Sequence, residues 1–346
     1  MNPSHCPAHP DAQLKPAIRG ARDQFWGFDG VFDYHECTDC GTWILIDPPE
    51  PTALGTYYGG YYSEEEFESR RKAFVRGDKP PILGVDGVRA AETIKALRAR
   101  GVTVDERIEV LDVGCGVGGF MRGMEFLAQT RVRGLDFNPR CRDFVAEVHG
   151  HEVDVGELEA QEYPDERFDV VTSWHCLEHT YDPLAELKEM RRIVKPGGWI
   201  MLEVPTPSLI ARLFRGRWFF LQPPTHLFHL SRTALETLVS QANLTVEGVW
   251  RPWLPTELSG SLLFALGHHG FARRILFGRK SLTNVLWMLL FALTIPLDLV
   301  ITPIQRLFGK TGVMRVLARR EETQRDISGF GERVSSVGAL GSYGRI

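Results

Sequence analysis

Short apolar runs alternate with amphipathic stretches between residues 105 and 250. Four runs have the length and composition of buried strands, and they cover residues 108–113, 131–137, 168–174 and 199–204. The stretches between them space their apolar residues as one face of a helix does. Strands that alternate with helices are typical of a parallel sheet with helices on both faces. The pattern therefore predicts an α/β domain over residues 105–250.

The rest of the chain differs in pattern on each side of this domain. Residues 1–62 are rich in Cys, His, Pro, Gly and aromatic residues, which predicts a small ribbon. Four further segments are predicted: a helical connector over 63–104, an apolar helical insertion over 251–312, a last sheet strand over 313–320 and a disordered Gly/Ser-rich tail over 321–346.

Composition narrows the function classes. The chain has 346 residues, 43% hydrophobic and 24% charged, which is ordinary for a globular protein. A net charge of -4 gives no global reason to bind nucleic acid. Six cysteines are too few for a disulfide-built secreted scaffold, and the N-terminus lacks the pattern of a secretory signal. We therefore expect a reducing, cytoplasmic environment.

A glycine-rich loop follows the first predicted strand. The strand runs through Asp112 into Gly114-x-Gly116-x-Gly118, and a helical pattern begins directly after it. Glycines allow a tight turn and the close approach of a ligand. The second strand ends at Asp136, whose carboxylate can accept both hydroxyls of a ribose. The loop also satisfies the dinucleotide fingerprint, so the loop alone leaves NAD binding open.

Five motifs occur in one order along the domain. They are VLDVGCGVGG at 110–119, LD at 135–136, FDVV at 168–171, LEHTYDP at 177–183 and a segment at 187–198 that ends in KPGG. This order resembles the class I S-adenosylmethionine-dependent methyltransferases of the methyltransferase domain 23/11 type. More narrowly, it resembles the subgroup with an N-terminal zinc-ribbon-like segment. The resemblance implies a Rossmann-like sheet of seven strands, with S-adenosylmethionine as the cofactor.

The resemblance also implies roles for individual residues at the cofactor site. It places Glu157 and Leu158 by the adenine. It assigns Asp136 to the ribose. The methionine part of the cofactor is assigned to Asp112, Gly114, Gly116 and Gly118. Trp174 is a further cofactor candidate, because it ends the strand predicted over 168–174 at the edge of the sheet where ligands bind.

Two short Cys/His pairs lie in the predicted ribbon. Cys6-x2-His9 and Cys37-x2-Cys40 supply three thiolates and one imidazole, which is the ligand set of a closed structural zinc site. The resemblance supports zinc, since relatives carry paired cysteines at these places. A ribbon without metal remains the alternative, because His9 stands where relatives have cysteine.

Histidines near the carboxyl edge of the predicted sheet are candidate general bases. Methyl transfer from a sulfonium is an in-line displacement, and a hydroxyl acceptor must also lose a proton. His175 follows the strand predicted over 168–174, and His226 lies in an aromatic and proline-rich stretch, residues 218–229, which we interpret as a substrate lid. We favour His226 over His175; the alternative is that both histidines only cap or pack.

A metal-assisted reaction is a further option at this edge. Some related O-methyltransferases hold a divalent cation with Glu-x-x-Glu-His. Here His175 takes the place of the first Glu, before Glu178 and His179.

The function predicted from these features is S-adenosylmethionine-dependent methylation, most specifically O-methylation of a hydroxylated small molecule, glycan or lipid-linked substrate. One alternative is an RNA methyltransferase that uses the ribbon as its binding module, but residues 1–62 contain only Lys15, Arg19 and Arg22 as cations. A nicotinamide-dependent oxidoreductase is another alternative, but no hydride-transfer constellation is evident in the sequence. A nucleic acid partner is therefore not expected.

One long apolar stretch, residues 281–305, contains Asp298 as its only charge. Pro296 and Pro303 interrupt its helical pattern, and strand candidates of one sheet lie on both sides of it, which argues against a single membrane crossing. Basic residues flank it: Arg273, Arg274, Arg279, Lys280, Arg306, Lys310 and Arg315. We expect a pair of kinked helices, either in peripheral contact with the inner membrane face or packed on the domain as a hairpin.

Overall fold

The computed structural model describes residues 5–59, 64–75, 84–272, 274 and 281–322. Its strands are β1 Leu14–Ala21, β2 Phe32–Cys37, β3 Trp43–Ile46, β4 Glu109–Val113, β5 Arg131–Asp136, β6 Val153–Val155, β7 Phe168–Trp174, β8 Val194–Pro205, β9 Phe228–His229, β10 Thr245–Trp250 and β11 Val313–Arg319. Its α-helices are α1 Pro51–Gly59, α2 Glu64–Val75, α3 Val85–Arg98, α4 Gly119–Ala128, α5 Pro139–His149, α6 Pro183–Ile193, α7 Leu209–Phe214, α8 Arg232–Gln241, α9 Glu257–Ala265 and α10 Leu282–Leu307.

The predicted seven-stranded sheet is confirmed. Its strand order is β10-β11-β8-β7-β4-β5-β6. The five strands from β8 to β6 in this order are mutually parallel, while β11 runs antiparallel to both β8 and β10. The carboxyl ends of the parallel strands therefore meet at one edge, which is where ligands bind in open α/β sheets.

Alternate residues of the central strand β4 enter two hydrophobic cores. Val110 packs with residues of α3, α4 and α5 on one face of the sheet. Leu111 packs with residues of α6 and α8 on the other face. Successive side chains of a strand point to opposite faces, so a strand that is apolar throughout is covered on both sides. The expectation of helices on both faces is thus confirmed, and α3, within the predicted connector 63–104, packs as part of this domain.

The N-terminal segment forms a second, antiparallel sheet in the order β1-β2-β3-β9. Its fourth strand, β9, comes from the predicted lid, because Trp43 pairs with His229 and Ile44 with Phe228. The ribbon and the lid therefore form one structural unit. Part of the Tyr-rich run at 57–62 lies outside the described residues, as does most of the predicted tail at 321–346.

The apolar insertion contains one continuous helix, α10, which passes through Pro296 and Pro303. The expected pair of kinked helices within 281–305 is therefore wrong. A proline inside a helix costs about 3 kcal/mol, chiefly through one lost hydrogen bond and a steric clash. Both prolines are on the exposed side, and the opposite side packs against α9. This packing keeps the helix continuous.

Candidate functional site

The glycine loop lies between the carboxyl end of β4 and the start of α4. Gly114, Gly116 and Gly118 have φ of 72°, 52° and 75°, in the left-handed region that favours glycine. A side chain at Gly114 would also overlap the Cys176 thiol. The predicted loop residues are thus held in a turn that other residues fit poorly.

Asp112 is buried directly beneath this loop. Its Oδ1 accepts a hydrogen bond of 2.7 Å from the Thr172 hydroxyl. Its Oδ2 is buried and has no hydrogen-bond partner within the described part of the chain. Burial raises the pKa of this carboxyl to about 8. An unpaired buried carboxylate oxygen at a glycine loop fits a cationic ligand group, such as the amino group of a methionine moiety.

Asp136 ends β5 beside the loop. Its two carboxylate oxygens accept 2.8 Å hydrogen bonds from the amide nitrogens of Gly116 and Asn138. Each oxygen keeps lone-pair capacity for a further donor such as a ribose hydroxyl. The Gly156 amide donates to the Asp136 carbonyl, which brings the segment with exposed Glu157 and buried Leu158 to the same end of the sheet. The structure therefore brings the ribose and adenine candidates together.

Trp174 is at the end of β7 but is buried in the hydrophobic core. Its ring centroid lies 5.0 Å from that of Phe120, the second residue of α4. The guanidinium carbons of Arg89 and Arg315 lie 5.3 Å and 5.4 Å from the ring centroid. Trp174 thus supports the start of α4, and its direct contact with a cofactor stays a prediction.

A buried charge network, which the sequence reading did not identify, surrounds Glu203 of β8. Glu203 is fully buried and accepts hydrogen bonds from Arg89 and Arg315 and from the His175 ring. Burial alone would raise its pKa, but Arg89, His175 and Arg315 hold the pKa well below its usual value. Arg315 is therefore a core residue and does not flank the apolar stretch. The sequence did carry a signal for this network, because Glu203 and Arg315 are charged residues within otherwise apolar strand runs.

His175 lies between two carboxylates. Its Nδ1 is 3.2 Å from Glu178 Oε1, and its Nε2 is 3.1 Å from Glu203 Oε1. Burial alone would lower its pKa, but the two carboxylates raise it to about 9. His175 is therefore an imidazolium at neutral pH with both nitrogens engaged, which argues against the predicted role as general base.

His226 presents the opposite arrangement. Its Nδ1 donates a 2.9 Å hydrogen bond to the Phe220 carbonyl, so Nε2 carries the lone pair. Burial first, and then the neighbouring His179 and His229, lower its pKa well below the usual value. His226 is therefore a neutral imidazole with its basic nitrogen 4.0 Å from Glu178 Oε1. This arrangement favours His226 over His175 as a base.

The ribbon holds the lid that carries His226. The Tyr34 hydroxyl of β2 donates to the His226 carbonyl over 2.9 Å. The Leu45 amide of β3 donates to the Leu227 carbonyl, and the Leu227 amide donates to the Glu178 carbonyl, each over 2.8 Å. The lid is thus bonded on one side to the ribbon and on the other to the loop after β7.

The four predicted zinc ligands converge. The ligand atoms of Cys6, His9, Cys37 and Cys40 all lie within 4.8 Å of one another. Cys6 Sγ is 3.6 Å from Cys40 Sγ and 3.9 Å from His9 Nδ1. Zinc–sulfur bonds of about 2.3 Å at tetrahedral angles place sulfurs roughly 3.8 Å apart, so these residues fit a zinc ion.

A second convergent group lies at the lid. Ligand atoms of Glu178, His179 and His226 are also within 4.8 Å of one another. Glu178 Oε2 is buried and has no hydrogen-bond partner among the described residues. Such a group could hold a divalent cation or orient a polar substrate.

The strand order, the antiparallel last strand and the acidic residue at the end of the second parallel strand are those of the class I methyltransferase fold. Residues 88–249 match the family model of the methyltransferase domain. Residues 88–249 therefore form a methyltransferase domain within this fold.

The relatives cover the domain but not the whole chain. A ubiquinone biosynthesis O-methyltransferase of Thiobacillus denitrificans is 40% identical over 100 residues, which are 27% of this chain and 42% of the relative. An ajmaline N-methyltransferase of Rauvolfia serpentina is 33% identical over 100 residues, 27% of this chain and 34% of the relative. The solved structure of an S-adenosylmethionine dependent methyltransferase from Mesorhizobium loti shares 17% identity and a TM-score of 0.42 over 65% of this chain and 96% of that one. The chain thus spans about two fifths or less of the length of these two sequence relatives.

Proposed function

We propose that the protein transfers a methyl group from S-adenosylmethionine to a hydroxyl of its substrate. The observation that carries this proposal is the unpaired Asp112 oxygen beneath the glycine loop, with Asp136 at the next strand end. The match of residues 88–249 to a methyltransferase domain favours this reaction over nicotinamide-dependent oxidation. The names of several sequence relatives support oxygen as the methylated atom.

In the proposed complex, the cofactor supplies an electrophilic methyl group. Asp112 would bind the amino group of its methionine part through the free Oδ2, and Asp136 would accept hydrogen bonds from its ribose hydroxyls. The protein then acts mainly by holding the acceptor oxygen in line with the methyl group. As the oxygen–carbon bond forms, the methyl–sulfur bond would break with its electron pair left on sulfur, and His226 Nε2 would accept the proton that the acceptor hydroxyl loses. The His175 imidazolium holds Glu178 and Glu203 in place and does not take up this proton.

A cation at Glu178, His179 and His226 is the second candidate arrangement. The unpaired Glu178 Oε2 favours it, because a buried carboxylate oxygen needs a partner. A cation there would lower the pKa of a bound hydroxyl in place of a general base. Chelation followed by addition of Mg²⁺ or Mn²⁺ separates the two candidates, since only the second requires one of these ions for turnover.

We also propose a structural zinc ion at Cys6, His9, Cys37 and Cys40. The hydrogen bond between Cys6 and Cys40 lowers the pKa of the Cys40 thiol and raises that of Cys6, so Cys40 is the first of the two to become a thiolate ligand. The ligand set and the distances within it support this site. Elemental analysis should find about one zinc per chain.

Replacement of Asp136 tests the cofactor assignment. Asp136→Ala removes a carboxylate acceptor of charge-assisted hydrogen bonds, each worth about 1.5–3 kcal/mol. We expect S-adenosylmethionine affinity to fall by roughly ten- to a hundredfold, measured by calorimetry. Asp105→Ala, at a carboxylate that pairs with Arg107 before the amino end of β4 and so at the edge of the sheet opposite the loop, is the matched control and should bind normally. Equal affinity in wild type and Asp136→Ala would contradict the proposed function.

Cofactor affinity should also depend on pH through Asp112. In the protein without cofactor, burial raises the pKa of Asp112 to about 8. A cationic amino group binds the ionised carboxylate, so the affinity should rise with pH from 6.5 towards 8, by up to about tenfold per unit. Calorimetry in buffers of different ionisation enthalpy should show proton release on binding. Asp112→Asn should bind weakly and without this pH dependence, and a retained dependence would assign it to another group.

A further inference from the structure

Helix α10 buries polar residues and exposes apolar ones, which is the reverse of an ordinary helix on the surface of a soluble protein. Its three buried residues, Asp298, Thr302 and Gln305, are all polar. Its exposed side is apolar between Thr283 near the start and Arg306 near the end, and its exposed large apolar residues are Leu282, Val285, Leu286, Met288, Leu289, Leu293, Leu297, Leu299, Val300, Ile304 and Leu307. Contiguous exposed apolar surface of this kind marks an interaction site.

The helix is long and apolar enough to cross a membrane, with 11% of its apolar window buried, but one of its sides contacts the protein at several points. Asp298 accepts from the amide nitrogens of Leu258 and Ser259 of α9, at 2.9 Å and 2.8 Å. Nearer its start, Trp287 and Phe291 pack on an aromatic cluster of the insertion and lid. A helix held on one side in this way lies flat on the domain. Its other side therefore faces outward along the whole helix and can lie in the plane of a covering surface.

Exposed charges near both ends of α10 are basic. Arg274 is exposed before the helix, and Arg306 and Lys310 are exposed at its end. Its only carboxylate, Asp298, is buried, whereas the chain as a whole has a net charge of -4. An apolar face with basic ends complements an anionic bilayer surface. A second copy fits less well, because pairing two such faces in either direction brings cations together.

The insertion is attached at the cofactor edge of the sheet. It leaves β10 at Trp250 and enters β11 at Val313, and Val313 pairs with Pro205 at the carboxyl end of β8. Its aromatic cluster includes Phe219 of the lid, which contacts Phe271. A small cavity lies between Phe220 of the lid and Gln305 of α10. The apolar face and the predicted substrate lid therefore belong to one end of the molecule.

We propose that the exposed face of α10 docks the protein in the plane of an anionic phospholipid bilayer, and that the methyl acceptor is a molecule carried by that membrane. The evidence for docking comes from α10 and its flanking charges, whereas the acceptor class also rests on the proposed function. Docking next to the lid lets an amphipathic acceptor reach the site without leaving the bilayer.

Vesicle flotation tests the docking. The wild-type protein should float with phosphatidylcholine vesicles that contain about 30% phosphatidylglycerol, and at least tenfold less with pure phosphatidylcholine. The double variant Leu289→Glu and Leu293→Glu changes side chains that are 61% and 76% exposed, so the fold should persist. Its partition should fall by at least about a hundredfold.

The control is Phe126→Glu, at a side chain that is 59% exposed near the end of α4, at the opposite edge of the sheet. It should float like wild type. Wild-type protein that stays off anionic vesicles, or a double variant that floats normally, would overturn the docking. Light scattering that shows a dimer broken by the double variant, without vesicle binding, would assign the face to a second copy.

Methyl transfer tests the acceptor class. Labelled S-adenosylmethionine should methylate lipid-extractable material in vesicles made from source-cell lipids, and the double variant should transfer at least tenfold less label. Label found only in water-soluble acceptors would overturn this part. Flotation needs no cofactor and calorimetry needs no vesicle, so failure of docking and failure of the proposed function give different results.

Discussion

His226→Ala should lower kcat by about 10²–10⁴-fold while the affinity for S-adenosylmethionine changes little. Removal of a positioned general base typically has an effect of this size. His226 carries its lone pair on Nε2 at the cofactor edge, because Nδ1 donates to the Phe220 carbonyl. The glycine loop and Asp136 are held by separate contacts and should be unaffected. Single-turnover kinetics together with calorimetry measure both quantities.

A loss of packing must be separated from the loss of a base. His268→Gln replaces another buried histidine, which contacts Trp287 in the insertion. It serves as a control for the stability effect. A base also matters less for a more acidic hydroxyl, so the defect of His226→Ala should shrink along a series of acceptors of falling hydroxyl pKa. A uniform defect along that series, restored by no divalent cation, would favour a packing role.

Cys37→Ser should remove the bound zinc and unfold the ribbon. Structural zinc contributes on the order of 10 kcal/mol or more to folding in small zinc domains, so the ribbon should not persist without it. Because β3 pairs with β9, the lid should lose its support, and methyl transfer should fall by at least about a hundredfold. Hydrogen exchange of residues 218–230 should increase, while the affinity for S-adenosylmethionine stays within a few fold.

The matched control for zinc content is Cys141→Ser, at a buried cysteine outside the four-residue group. It should retain about one zinc per chain. Full activity in metal-free Cys37→Ser protein would contradict this prediction, because it would show that the lid works without the zinc-bound ribbon.

Local sequence was enough to predict the sheet and the cofactor loop. The strand runs alternate with helical patterns, and Gly114, Gly116 and Gly118 occupy a turn that needs positive φ. Asp112 and Asp136 lie at strand ends, so their positions followed once the strands were known. Cys6 and His9 are close in sequence, as are Cys37 and Cys40, so the sequence alone predicted that the two ligands of each pair lie together. These features depend on contacts between near neighbours in the chain.

The tertiary structure decided what depends on contacts between distant segments. Sequence spacing could not show that His175 lies between Glu178 and Glu203, because Glu203 comes from another strand, and this pairing makes His175 an imidazolium. The pairing of the lid with the ribbon joins segments nearly two hundred residues apart. The same holds for α10: only its packing on α9 turned Asp298 inward and left an uninterrupted apolar face outward. Protonation state and exposure are set by three-dimensional surroundings, which local pattern does not contain.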